Sequence, residues 1–351
     1  MPRWASRRRW RCPKACGTPG NGSSASISSA ESRLADAMTP ILTVHLIVHS
    51  DYSHIEGALH SLYATTRTPS VVYLTINTGD DPRLLPLRQK FPDVQIHINP
   101  QPRSFAENHN AILHRAETDT VALLNDDILL HDGTLDTLVT YLAEHPDVGL
   151  VGPALKNPDQ TWQVSAYSDP SLPRTLYRLS GLASLTHQQS PLRKLLLRTG
   201  LLKGMQVESL RENAGTRPVP VIKGVAMVVR RAAYQQAGVM DEITRAYGEE
   251  YGWHLRLRRA GWKVMLVEEA QVTHYGSGQA RLTMQGWVLV EDRKAILGYY
   301  LLYRPTWQAA LVRGAILLSH SLFALGWLPF DRKRARTHLD VARMAAGFRL
   351  P

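Results

Sequence analysis

From residue 43 onward, short apolar runs alternate with segments whose apolar residues recur every three or four positions. The runs at 43–48, 71–76, 94–98, 120–124 and 148–151 read as strands, and the segments at 54–66, 83–91, 104–115 and 134–144 read as helices. In the first helix Ile55, Leu59, Leu62 and Tyr63 share one face, and Ser53 and Ser104 stand where the N-caps of the first and third helices are expected. Strands and helices that alternate through short connections predict an α/β fold, with a parallel sheet covered on both faces. The run Val121-Ala122-Leu123-Leu124 is apolar throughout, as suits a strand buried on both sides. It leads straight into Asn125-Asp126-Asp127, which places three polar residues at a strand's carboxyl end, where open α/β sheets hold their ligands.

The periodicity breaks between 157 and 217, where Pro158, Pro170, Pro173 and Pro191 punctuate the chain and 192–202 reads as a basic, apolar helix. A stretch of that length is either a lid or a substrate-specific insert. Order returns with a strand at 221–229 that carries Gly224 in its interior, where a glycine signals close approach of another chain or a ligand. A short helix at 231–236 stops at Gly238, a second from Glu249 to Arg259 stops at Gly261, and a strand at 263–267 precedes His274. The most apolar part of the chain, 311–330, is interrupted by Arg313, Ser319, His320 and Ser321 and is followed by Arg332-Lys333-Arg334 and Arg336. An apolar helix beside a basic cluster fits attachment to an anionic cytoplasmic leaflet; a helix packed on the core and a spanning helix are the alternatives.

Composition narrows the chemistry. Of the net charge of +11, residues 1–38 supply seven Lys/Arg against two Asp/Glu, so the body is only moderately basic and nucleic acid is not expected as a partner. That tail is Gly/Ser-rich and lacks an apolar signal core, so it reads as disordered; Met38, just before the first strand, is an alternative start. Cys12 and Cys16 both lie in it, which excludes a disulfide framework and a cysteine nucleophile in the body. The turn after the first strand is His49-Ser50-Asp51-Tyr52, neither a dinucleotide fingerprint nor a phosphate loop. Carboxylates gathered at a strand end repel one another unless a cation intervenes, and a divalent ion carrying a nucleotide diphosphate needs only one or two of them. A blander account is also open: Asp126 as an N-cap, and Glu249 and Glu250 as acidic residues in a helix's first turn.

These residues, in this order, resemble the family 2 glycosyltransferases of the GT-A fold, especially rhamnosyltransferase-like members. The resemblance runs from residue 43 to about 278. It rests on Leu46-Ile47-Val48-His49-Ser50, Phe105-Ala106-Glu107-Asn108-His109-Asn110, Leu124-Asn125-Asp126-Asp127, Val148-Gly149-Leu150-Val151-Gly152-Pro153, Lys223-Gly224, Arg230-Arg231, Glu249-Glu250, Arg258-Arg259-Ala260-Gly261-Trp262 and His274. Two positions depart from the family pattern. The acid expected at the end of the second strand is replaced by Ile76-Asn77, leaving Asn77, Asp80 or Asp81 to substitute, and the catalytic Asp is replaced by the longer Glu250, with Gly252 at a further acidic position.

The resemblance implies a GT-A-type nucleotide-sugar-binding fold with a mostly parallel central sheet and C-terminal amphipathic or apolar helices. It divides the chain into a disordered basic tail (1–38), a nucleotide-sugar-binding half (39–156), a variable insert (157–217), an acceptor and catalytic half (218–290) and a helical membrane-associating segment (291–351). It implies inverting transfer of a sugar from a UDP- or dTDP-sugar to a hydroxyl of a glycan or lipid-linked acceptor, at the inner face of the cell membrane. Asp127 and His274 would hold a divalent metal, Mg²⁺ or Mn²⁺, and Glu250 would be the general base. Asn125, Asp126, Asn77, Asp81, Arg103 and Lys223 would meet the donor, and Glu249 and Trp253 the acceptor. The rival functions are a catalytically silent nucleotide-sugar-binding module and a nucleotidyltransferase.

Overall fold

A computed structural model describes residues 41–49, 51–181, 215–276 and 286–350, all within one compact unit, Pro40–Pro351. The tail at 1–38 and the helix expected at 192–202 lie outside the described residues. The alternation seen in the sequence is built as strands β1 (Leu42–Val48), β2 (Ser70–Ile76), β3 (Gln95–Ile98) and β4 (Thr120–Asn125), joined by helices α1 (Ile55–Thr65), α2 (Leu84–Lys90) and α3 (Phe105–Leu113). All four strands are parallel, in the order β3-β2-β1-β4. Along β4 the side chains alternate between two cores: Ala122 and Leu124 join the cluster packed by α1 and α2, while Val121 and Leu123 join the cluster packed by α3. That double burial is why the strand is apolar from Val121 to Leu124.

The second half of the sheet differs from a simple consecutive winding. After β5 (Ile128–Leu130) and α4 (Thr134–Glu144), strand β6 (Val148–Lys156) does not lie beside β4. Between them runs β11 (Ala226–Arg230), antiparallel to both. Strand β12 (Lys263–His274) then pairs parallel with β6, and β5 pairs antiparallel with β12. The long β12 thus delivers His274 alongside Ile128, next to the end of β4. The start of the 157–217 stretch is part of the fold: β7 (Trp162–Gln163) pairs with β6, β8 (Ala166–Tyr167) pairs with β10 (Val221–Ile222), and α5 (Leu172–Leu179) follows. At its other end, β9 (Arg217–Pro218) pairs with β12.

Three local expectations are corrected. The strand expected across 221–229 is broken: β10 ends at Ile222, Lys223-Gly224-Val225 form a turn, and β11 begins at Ala226. Ser53 does not cap α1, whose N-cap is His54; the Ser53 amide instead donates to Asp51 Oδ1. Asp126 is not a helix N-cap, because β5 follows it directly and α4 is capped by Gly133. Ser104 does cap α3, in a reciprocal capping box with Glu107, an arrangement worth about 1 kcal/mol.

Helices α6 (Arg231–Ala237) and α7 (Glu249–Arg259) cover the α3 side of the sheet. A third core joins α5 and α7 to α8 (Trp287–Tyr303), α9 (Thr306–Trp327) and α10 (Arg332–Gly347). The polar residues that interrupt the apolar segment serve this packing. Arg313 donates to the carbonyls of Ala345 and Phe348, and His320 bonds Arg293 and His338. By length and composition α9 is the one described helix able to cross a bilayer. One face of it, with Val312 and Ile316, is buried; the other exposes Trp307, Leu311, Leu318, Leu322 and Leu325.

Candidate active site

The carboxyl ends of β1 and β4 and the C-terminus of β12 bring together Asp51, Asp126, Asp127 and His274. Asn125 ends β4, and its backbone amide is tied to the Val225 carbonyl at 2.9 Å. Asp126 sits in the tight turn to β5; burial, then Asp127 and then Asp51 push its carboxyl up to about 7. Burial pushes Asp127 the same way, but His274 outweighs it and holds this carboxyl below its usual range. The two neighbouring acids are therefore driven apart, with Asp127 the ionised one at neutral pH.

Asp127 Oδ1 is buried without a hydrogen-bond partner and lies 3.4 Å from His274 Nε2. The Tyr275 amide donates to the Asp127 carbonyl, and a side chain at Gly276 would collide with Asp127 Oδ2. Glycine is therefore required there by close approach to the carboxylate. Among the described residues no group of three or more His, Cys, Asp and Glu side chains forms a protein-only metal cage. One orphaned carboxylate oxygen facing an imidazole nitrogen is the donor set a divalent ion uses when substrate phosphates supply its remaining ligands. The residues present fit such an ion.

On the other side of the β11 turn, Glu250 opens α7 with part of its surface accessible, and its carboxylate lies against Gly224. A Cβ on Gly224 would lie 3.8 Å from Glu250 Oε1 and 3.9 Å from the Phe105 ring. Burial raises the Glu250 pKa, while backbone amides at Glu250, Gly248 and Gly224 and the charge of Lys223 pull it back. Two paths connect this carboxylate with the acidic turn. One runs through Gly224 and Val225 to the Asn125 amide. The other runs from Lys223 Nζ to Gln163 Oε1 at 2.7 Å, and from there to His274 Nδ1 at 2.7 Å. Tyr247, held at a φ of 74°, feels both Glu249 and Asp127, which raise its hydroxyl pKa after burial does.

Several expected contacts stand elsewhere. Trp253 is completely buried, its indole N–H donating to the Gly238 carbonyl, so it cannot stack on an acceptor. Glu249 is 8% exposed and lines a small cavity with Thr244, Tyr299 and Tyr303, on the side of the C-terminal helices. Burial and then Glu250 push it up to about 8. Asn77 uses its amide inside the protein, with His49, Asn99 and both backbone groups of Arg103. It anchors the loop that presents the exposed Arg103 side chain. Asp81 is chelated by Arg83, which drives its carboxyl down to about 2, and the same guanidinium stacks on Tyr52. Gly252 marks no lost acid: a side chain there would strike Asp241 and Tyr303, which are themselves hydrogen-bonded.

Sequence reasoning missed Gln163, Tyr247 and Asp51 as members of this site. Asp51 had a signal, since it lies in the turn after the first strand. Gln163 had none: its role depends on β7 folding back on β6, and nothing local foretells that pairing.

Residues 49–285 match the family described as "Glycosyltransferase like family 2". Among curated proteins, N-acetylglucosaminyl-diphospho-decaprenol L-rhamnosyltransferase of Mycobacterium tuberculosis, in strains CDC 1551 / Oshkosh and ATCC 25618 / H37Rv, is 25% identical over 311 residues, spanning 85% of this chain and 97% of the relative. Two solved structures are similar at lower identity. GalNAc-T7 with UDP, GalNAc and Mn²⁺ has a TM-score of 0.48 at 12% identity, covering 76% of this chain and 52% of that one. The mannosyltransferase PcManGT from Pyrobaculum calidifontis, in complex with GDP-Man and Mn²⁺, has a TM-score of 0.47 at 16% identity, covering 88% and 87%.

Proposed function

The chain belongs to glycosyltransferase-like family 2, and from that premise we propose an inverting, metal-assisted transfer of a sugar from a UDP- or dTDP-sugar to a hydroxyl of a lipid-linked or glycan acceptor. The observation that carries this reading is the division of labour around the Lys223-Gly224 turn. On one side an ionised, orphaned Asp127 oxygen faces His274; on the other, Glu250 has a raised pKa and is only partly exposed. A bound divalent ion supplies Lewis-acid stabilisation of the departing diphosphate. Asp127 and His274 hold that ion, and Asn125 meets the ribose or diphosphate from the end of β4. Glu250 accepts the acceptor hydroxyl's proton as the new bond forms, which needs a base whose pKa lies closer to neutrality than an exposed carboxylate's. Arg103 and Lys223 add positive charge near the donor. The rhamnosyltransferase name of the relatives supports a lipid diphosphate acceptor here.

The two rival functions are weakened. Of the two departures that favoured a silent binding module, Gly252 is explained by packing, while Ile76-Asn77 leaves base recognition to other groups; a nucleotidyltransferase has no glycine-rich loop to work with. The test is a panel of nucleotide sugars offered with a polyprenyl-diphosphate-linked acceptor and Mn²⁺ or Mg²⁺. We expect one sugar class to release its nucleoside diphosphate in a metal-dependent manner. No release from any donor in the presence of acceptor and metal counts against the reading.

The acceptor's chemistry also favours a membrane surface, which we assign to α9. Its exposed face carries Leu318, Leu322 and Leu325 at 58–67% exposure, and the exposed Arg332, Lys333 and Arg334 follow at the start of α10. A helix lying in the interface, with basic residues toward anionic headgroups, satisfies both features and leaves the packed face on the core. Each leucine fully withdrawn from water contributes roughly 1.5–3 kcal/mol. Replacing Leu322 and Leu325 with Ser should therefore weaken co-sedimentation with anionic vesicles by at least tenfold, leaving soluble-donor hydrolysis intact. Unchanged partitioning would remove α9 as the docking face.

A further inference from the structure

We propose that Gln163 is a positioning residue: it fixes which ring nitrogen of His274 carries a proton and holds Lys223 beside Glu250. This rests on the metal reading above for its consequence, though not for its geometry.

Gln163 lies on β7 and is 6% exposed. The orientation of its amide is set by partners that have no choice of role. Lys223 Nζ can only donate, and it bonds Gln163 Oε1 at 2.7 Å. The His274 carbonyl can only accept, and it lies 3.3 Å from Gln163 Nε2, which also donates to Asn157 Oδ1 at 2.9 Å. Oε1 is therefore the atom that faces His274 Nδ1 at 2.7 Å, and since an oxygen there only accepts, Nδ1 must carry a proton.

That assignment decides the chemistry at the opposite nitrogen. In the neutral ring Nε2 is left with a lone pair, aimed at the orphaned Asp127 Oδ1 at 3.4 Å. Two electron-rich atoms held face to face in a buried turn repel; the protonated ring, the form that holds the Asp127 carboxyl down, or a cation seated between the two atoms relieves this. Gln163 thus presets His274 to bind through Nε2 and prevents the tautomer that would donate to Asp127 and close the site. A ligating histidine generally donates its other ring N–H to a fixed acceptor, and removing that acceptor typically costs 10–100-fold in metal affinity. The same oxygen restrains Lys223, whose charge opposes the rise of the Glu250 pKa. One buried amide therefore supports both the donor side and the base side of the site.

The experiment uses the full chain with ¹⁵N-histidine labelling and the variants Gln163→Leu and Gln163→Glu. Two-bond ¹H–¹⁵N correlation of metal-free wild type should show His274 Nδ1 protonated. In Gln163→Leu the ring should redistribute toward the Nε2–H tautomer. Mn²⁺ affinity in the presence of UDP, followed by the electron paramagnetic signal of free Mn²⁺, should fall 10–100-fold in Gln163→Leu. Gln163→Glu, which retains an oxygen acceptor for both His274 and Lys223, should stay within a few-fold of wild type. An Nε2–H tautomer in wild type overturns the proposal, whether or not the leucine variant folds. So does a Gln163→Leu protein that binds Mn²⁺ as tightly as wild type, or a Gln163→Glu protein as impaired as the leucine variant. Failure of wild type to bind Mn²⁺ would instead strike the metal reading, and the tautomer measurement would still decide the role of Gln163.

Discussion

Changing Asp127 to Asn is expected to abolish metal-dependent binding of the nucleoside diphosphate and to lower sugar transfer by on the order of 10³-fold. The substitution keeps the shape of the side chain and removes only its charge. A Lewis acid at a departing diphosphate contributes several kcal/mol, and each 1.4 kcal/mol or so is a factor of ten in rate. The fold should not suffer. Oδ1 has no hydrogen bond to lose, and the lost attraction to His274 is offset in part because the neighbouring Asp126 is relieved of a charge that now helps push its carboxyl up to about 7. Titration calorimetry with UDP and dTDP, with and without Mn²⁺, separates the two halves of the expectation. The wild type should bind one nucleotide in a metal-dependent way, and the variant should lose that dependence while still melting as a folded protein. Metal-dependent binding that survives in Asp127→Asn would exclude Asp127 as the principal ligand, leaving Asp126 as the carboxylate to examine.

The parts of this fold that could be read in advance are those whose cause is local. The double burial of β4 writes itself as an unbroken apolar run, and the capping box at Ser104 and Glu107 needs only a three-residue spacing. The acidic turn was legible as a ligand site because it ends such a strand. What escaped depends on pairing between segments far apart in sequence. The insertion of β11 between β4 and β6 breaks the expected strand at Lys223 and turns Gly224 from an interior strand residue into the floor beneath Glu250. For Trp253 the sequence leaves a sugar platform and a helix-buried indole equally open, and its position on α7, facing the sheet, makes it the second. Gly252 looked like a missing acid until α8 placed Tyr303 over it. Gln163 is the extreme case, a residue of ordinary type in a stretch without period, given its role by a two-residue strand.

The second large effect concerns the base. Glu250→Gln is expected to lower kcat by roughly 10²–10⁴-fold, the range for loss of a positioned general base, while the donor is bound as before. The reasoning for Glu250 over Glu249 is geometric first. Glu250 keeps accessible surface and lies at Gly224, whereas Glu249 is turned inward among Thr244, Tyr299 and Tyr303. Electrostatics agrees. Burial and the Glu250 charge push Glu249 up to about 8, so at neutral pH the pair carries chiefly one negative charge. Lys223 and the backbone amides keep that charge on Glu250. The sign of the pH dependence follows. A base works only when ionised, and burial raises the pH at which Glu250 ionises, so the acidic limb of the kcat profile should lie above the 4.5 of an unperturbed glutamate. Between that limb and neutrality the rate should climb with pH. Glu249→Gln, which fixes the neutral form already favoured there, should retain most activity at pH 7. It should also leave the Glu250 limb close to its wild-type position, because Glu249 is already neutral across that pH range. Transfer that continues unchanged in Glu250→Gln, or that collapses in Glu249→Gln with Glu250 intact, would assign the proton to the other carboxylate and reverse the roles of the pair.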